Sequence, residues 1–245
     1  MIQLAPLTQP QPLASISLIA VIDTALCVRA GGSSGSLADK PIIRNAEGRL
    51  VIPASQLKGR LRHECEKLTR ALRWDTCESP DAKTMCPQRA GLPGNFQQPE
   101  YDIGDRHLDG STRYHCLICQ IFGNPSLPSR VLFEDLICTE EPQNLPEVLR
   151  PGVTINRRRR TAEEKKLYFL ETSPANAKLK FAGTIALQSS APPFAKALLL
   201  AGLHHIHALG GSKSTGLGWL HWQFPVSEQI KVSDDDWNFL KPGGI

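Results

Sequence analysis

From Ser15 to Arg29, Ile16, Leu18, Ala20 and Ile22 alternate with Ser17, Ile19, Val21 and Asp23, which predicts a first strand buried over most of its length. Ile42-Ile43-Arg44 and Leu50-Val51-Ile52 flank Asn45-Ala46-Glu47-Gly48, a hairpin signal closed by glycine. Leu57, Leu61, Cys65, Leu68 and Leu72 then recur at helical spacing, so a helix is predicted from Leu57 to about Trp74, with Ser55 as its N-cap. Arg130 to Thr139 alternates as a strand. Gly152 to Asn156 runs into the basic stretch Arg157 to Arg160, and Leu167 to Thr172 and Lys178 to Gln188 are strand-like, which predicts an extended hairpin with a basic tip. Pro192 to Leu209 reads as a second amphipathic helix and Trp219 to Phe224 as a final strand. The proline-rich Met1–Pro12 reads as a loose arm.

Between Asp75 and Asn124 the periodicity fails, and so long an irregular stretch needs a staple. Cys116-Leu117-Ile118-Cys119 has the spacing that wraps two thiolates round one Zn²⁺, and Cys77 with Cys86 forms a looser second pair. These four are the expected ligands of a structural zinc; scattered thiols or a redox pair are the alternatives, with His63, Cys65, His107 and His115 as reserve ligands. Cys65 lies on the apolar helix face, and Cys27 and Cys138 also read as core.

Gly210 to Gly218 is a helix-to-strand loop in which Lys213, Ser214 and Thr215 offer a charge and two hydroxyls to phosphate oxygens. It is not a P-loop, because it enters a strand instead of opening a helix. Lys58, Arg60 and Arg62 place cations at the start of the first helix, where the dipole favours anions; a bound anion at the free amides would account for them. Gly31 to Ser36 makes a second flexible loop that ends at Asp39, a carboxylate on a mobile connection. With 245 residues and a net charge of +4, the chain can bury a real core and lacks the extreme charge of a histone-like binder. No run approaches the ~18 apolar residues of a membrane span, and the uncharged start lacks a signal-peptide n-region, so a cytoplasmic protein without a membrane partner is expected.

The order strand, helix, strands, helix, strand suits an α+β, ferredoxin-like or RNA-recognition-motif core, although the aromatic RNP motifs are absent. Leu37 to Arg44, Ile52 to Arg62, Cys116 to Gly123, Ile155-Asn156-Arg157 and the terminal glycine-rich loop together resemble, in that order, the RAMP superfamily of CRISPR proteins. The chain looks most like a backbone subunit of a type III effector complex, III-D-like because of its cysteine-rich insertion. The resemblance implies one domain over 1–245. Its parts are 13–74 (first strand, loop, hairpin, helix), 75–124 (zinc insertion), 150–185 (a β-hairpin thumb), 186–224 (second helix, glycine-rich loop, last strand) and 225–245 (tail).

It implies an antiviral ribonucleoprotein in which the chain grips guide CRISPR RNA, faces complementary target RNA, and meets further RAMP subunits and the large polymerase-like subunit. Ser55, Gln56, Lys58, Arg62, Asn156, Arg157, Arg158, Lys213, Ser214 and Thr215 would then lie on RNA, and Asp39 would cut the target. That carboxylate would either help place Mg²⁺ or another divalent ion or position the attacking 2′-hydroxyl. Ala54, where the family often has glycine, and the compressed terminal loop depart from the pattern. The alternative is the non-catalytic cap subunit that holds the 5′ end of the guide. A guide-processing nuclease would want a histidine base, for which His63 is available.

Overall fold

The computed structural model describes residues 14–29, 38–39, 41–74, 76–81, 83–86 and 114–240. The expected arm at Met1–Pro12, the Gly31–Ser36 loop and His107 lie outside these residues. In chain order the elements are β1 (Ala14–Ile22), β2 (Val51–Ile52), α1 (Ala54–Ala71), α2 (Leu117–Phe122), β3 (Val131–Phe133), β4 (Leu136–Cys138), β5 (Val148–Asn156), β6 (Thr161–Thr172), β7 (Leu179–Leu187), α3 (Ala195–His204), β8 (Leu220–Gln223) and α4 (Asp234–Phe239). The fold is mixed α/β with antiparallel sheets. The main sheet runs β2-β4-β7-β1-β8, with β3 also on β7, and β5 pairs with β6 in a separate two-stranded sheet.

Strand β1 sits at the centre because both of its edges are used, Leu18 facing Gly183 of β7 and Ile22 facing Leu220 of β8. Its Ile16, Leu18, Ala20 and Ile22 are buried with Leu57, Leu61 and Cys65 of α1 and Leu198, Leu199 and Leu203 of α3. The two helices meet closely at Gly202, where a Cβ would come within 2.7 Å of Cys65 Sγ and 2.8 Å of Leu61 Cδ1. Cys65 is thus a core residue; its thiol donates to the Leu198 carbonyl at 3.5 Å.

Three sequence readings change. Helix α1 begins at Ala54, so Ser55 stands inside it and Pro53 is the N-cap. The expected strand 130–139 is broken by a bulge, since Phe133 faces Ile185 while Ile137 faces Ala182, one residue out of step. The bulge moves the buried side from Val131 to Leu136 and Cys138, and leaves Leu132 and Ile137 exposed. The hairpin expected within 150–185 is formed by β5 and β6 alone; β7, in the same range, is a central strand.

The tail also finds a partner. Beyond the reach of β8, Gln229 accepts from Ser17 N–H at 2.8 Å and donates to Ser15 Oγ at 3.2 Å, which completes the edge of β1. Among the described residues no helix is long and apolar enough to cross a membrane.

Candidate nucleic-acid interface and cysteine centre

The segment 23–29, which leaves β1, collects the elements that the sequence singles out. On one side Leu26 donates through its N–H to Ser173 Oγ, and its carbonyl accepts from Ser173 N–H, both at 2.9 Å, which fastens the root of the β5–β6 hairpin. On the other, Gly211 N–H donates to the Cys27 carbonyl at 2.7 Å and Gly218 N–H to the Ala25 carbonyl at 2.8 Å, which fastens the glycine-rich loop. Ala25, Cys27, Leu170 and Leu217 form a small buried cluster under Tyr168. Arg29 bridges to Ile42, and Ile43 N–H donates to the Val28 carbonyl at 3.0 Å, which brings in the segment that follows Asp39.

Asp39 is exposed at the hairpin root, where its Oδ2 accepts from Phe169 N–H at 2.7 Å. That N–H points away from β5, so Pro151, opposite Phe169, costs the ladder no bond. Two residues on, buried Glu171 accepts from Ile42 N–H at 3.1 Å and from Arg44 Nη2 at 2.8 Å. Two acids, one on each partner, therefore dock Asp39 and the segment 41–44 along the β6 edge. At the hairpin tip Asn156 Oδ1 accepts from the N–H groups of Arg158 and Arg159, each at 3.1 Å, so Asn156 builds the turn while Arg157 to Arg160 stand exposed.

Much of the glycine-rich loop's polarity is spent on itself. Lys213 Nζ donates to the Gly210 carbonyl at 3.0 Å and Thr215 Oγ1 to the Ser212 carbonyl at 2.8 Å, while Ser214 is exposed. Gly218 (φ +73) lies so close to Leu209 that a Cβ would overlap its carbonyl oxygen. Arg29, which the sequence reading missed, donates to Ser212 Oγ at 3.4 Å and adds a cation beside Lys213.

The start of α1 differs from its sequence reading. Ala54 N–H donates to Asp135 Oδ1 at 2.7 Å, so the anion at this helix end is the chain's own carboxylate, presented by the β3–β4 bulge. Ser55 is exposed, Gln56 is half-buried with its Oε1 unpartnered among the described residues, and burial and then Arg62 lower the Lys58 pKa. Arg60 pairs with buried Glu64 at 2.8 Å.

Arg62 turns toward the cysteines, donating to Cys119 Sγ at 3.6 Å. Cys77, Cys86, Cys116 and Cys119 are buried, with all four sulfurs within 4.8 Å of one another, and Cys77 Sγ lies 3.5 Å from Cys119 Sγ and 3.6 Å from Cys116 Sγ. Bonds of about 2.3 Å to one tetrahedral ion require sulfur edges of about 3.8 Å, so the set fits a single thiolate-bound metal; a multi-iron cluster would spread its thiolates over several irons. Cys116 N–H donates to Cys86 Sγ at 3.4 Å; hydrogen bonding with Cys116 lowers the Cys86 pKa, but its bonds with Cys119 and Cys77 and its burial outweigh that and raise it. Hydrogen bonding from Cys116 lowers the pKa values of Cys77 and Cys119, while Cys116 is pushed well above the ordinary thiol value, first by its bond with Cys119.

The three reserve ligands among the described residues stay apart from this set. Cys65 is in the core, His63 is exposed, and buried His115 pairs through Nδ1 with Asn124 Nδ2 at 3.0 Å. Among the described residues no other group of three or more His, Cys, Asp or Glu converges in this way, and Asp39 belongs to none. A family model described as the RAMP superfamily matches residues 21–221, and comparison with curated proteins finds no match. The matched stretch begins at the end of β1 and closes in β8, enclosing the hairpin, the glycine-rich loop and the cysteines. The chain belongs to the RAMP superfamily.

Proposed function

We propose that the chain is a guide CRISPR RNA-binding backbone subunit of a type III, III-D-like effector ribonucleoprotein, and that Asp39 cuts complementary target RNA. The observation that carries this reading is the convergence on segment 23–29 of the Asp39 connection, the root of an arginine-tipped hairpin and the glycine-rich loop. Three separated stretches with different chemistry then act on one strand: exposed cations neutralise phosphates, the hairpin separates guide from target, and the carboxylate lies at its base. The order β8-β1-β7-β4, with α1 and α3 in the crossovers, supports a ferredoxin-like core. Further RAMP subunits and a large polymerase-like subunit would be its partners in antiviral defence. The four cysteines suit structural Zn²⁺, with all positions filled by thiolate.

The bond from Phe169 fixes Oδ2 of Asp39 and leaves Oδ1 to accept the proton of a target 2′-hydroxyl as its oxygen attacks the adjacent phosphorus and the 5′-oxygen leaves. Among the described residues Asp39 belongs to no group of three or more His, Cys, Asp or Glu, so a divalent ion at this point would be held by one carboxylate together with RNA phosphates and water.

The test uses the complex reconstituted with guide RNA. Asp39→Asn keeps an acceptor for Phe169 N–H while removing the charge, so assembly and RNA binding persist and regularly spaced target cuts disappear, with and without added Mg²⁺. Cuts that survive Asp39→Asn would exclude Asp39 as the cutting residue, and a particle containing one copy at the guide's 5′ end would favour the cap subunit.

A further inference from the structure

Helix α1 carries two basic residues one turn apart, Lys58 and Arg62, and only one is free to meet a ligand. All three guanidinium nitrogens of Arg62 are engaged. Nε pairs with Glu66 Oε1 at 3.1 Å, Nη1 donates to the Gly123 carbonyl at 2.9 Å and Nη2 donates to Cys119 Sγ at 3.6 Å. Its side chain is only 18% exposed. Gly123 (φ +77) closes α2, and a Cβ there would approach Ser129 N within 2.6 Å, so the turn that Arg62 grips has little freedom. Arg62 thus holds α2 at a cysteine and at its end.

Four thiolates on one divalent ion leave two net negative charges in a buried setting, and a guanidinium on one sulfur offsets part of that charge. We propose that Arg62 is a positioning residue of the cysteine metal centre, acting through Cys119, and is not a phosphate ligand. This rests on the reading of the four cysteines as metal ligands. Lys58, whose amine makes no comparable contact with the centre, keeps the RNA role.

The experiment titrates full-length wild type, Arg62→Gln, Arg62→Lys and Lys58→Ala with Co²⁺, competes the ion with a chelator, and measures RNA binding against salt. Arg62→Gln should bind metal about 10- to 100-fold more weakly. Its thiolate-to-cobalt charge-transfer bands should move to lower energy, because the sulfur lone pair is no longer held down by an N–H. Arg62→Lys keeps the charge without the fork and should fall between. Lys58→Ala should match wild type for metal and lose about 0.7–1 from the salt slope of RNA binding, which Arg62→Gln leaves unchanged.

Wild-type affinity and bands in Arg62→Gln, or in Arg62→Lys should the glutamine variant fail to fold, would overturn the proposal while leaving the metal centre standing. A wild-type protein that takes up no Co²⁺ would overturn the metal reading itself, and this inference with it.

Discussion

The cysteine centre and the surface around segment 23–29 are built in opposite ways. The first is a convergence of side chains: Cys77 and Cys119 are 42 positions apart, yet their sulfurs are 3.5 Å apart and buried. The second is a convergence of backbone. Cys27, Ala25 and Leu26 hold the glycine-rich loop and the hairpin through main-chain groups, while Arg157 to Arg160 and Lys213 to Thr215 remain exposed. A closed metal site needs inward geometry and saturates its own donors. An RNA surface needs outward donors at intervals set by the strand, and its precision resides in the scaffold that spaces them.

The strongest way to break the contrast is Cys119→Ser. If the centre is a closed structural site, this variant loses its one equivalent of zinc, together with about 4 kcal/mol of stability, in the range reached by losing a structural metal. In a chain of this size that lowers the midpoint by about 10 °C. Elemental analysis of protein purified without chelator, with a thermal melt, checks both. No zinc in the wild type would reduce the cluster to packed thiols, and zinc retained in Cys119→Ser, or a midpoint within 2 °C of wild type, would exclude Cys119 as a ligand of a closed structural site.

The backbone side is tested by two glycines of one loop. Gly218→Ala forces a Cβ onto the Leu209 carbonyl at positive φ and undoes the bonds to Ala25 and Leu209, an expected loss of about 3 kcal/mol with weakened RNA binding. Gly216 also has positive φ (+90) but opens onto empty space, so Gly216→Ala should cost only about 1 kcal/mol. Equal effects of the two substitutions, by urea titration and RNA binding, would mean that the loop's geometry is not held by its contact with segment 23–29.

What the sequence made legible follows the same division. Strands with clean alternation, such as β1, and the Leu57-Leu61-Cys65 helix face were readable because each pattern is local. The four cysteines were readable because thiolates at such spacings have few other uses. Invisible were the features that depend on a distant partner. The bulge needs Gly183 of β7, where a Cβ would meet Leu136 Cδ2 at 2.7 Å and the Asp135 carbonyl at 2.9 Å. Arg29 reads as the end of a strand until Ser212 is placed beside it, and Glu171 is one residue of a strand-like run until Arg44 and Ile42 are placed on its carboxylate. Arg62, by charge alone, looks the same as Lys58; only Cys119 separates them.

Helix α1 meets the cysteine centre through Arg62, and its N-terminus allows the finest test. The bulge delivers Asp135 to Ala54 N–H, so this end already holds an anion and offers less to an RNA phosphate than a bare helix end would. Asp135→Ala removes the acceptor and should cost about 1 kcal/mol, the usual worth of a capping side chain, or about 2–4 °C in the melt. Asp135→Asn retains an oxygen acceptor and should recover part of that loss. Because both remove a negative charge one turn from Lys58, both should tighten RNA binding at low salt if this turn lies along the guide backbone. RNA affinity unchanged in both variants, with the stability loss present, would make the first turn of α1 purely structural and leave RNA contact to the surface around segment 23–29.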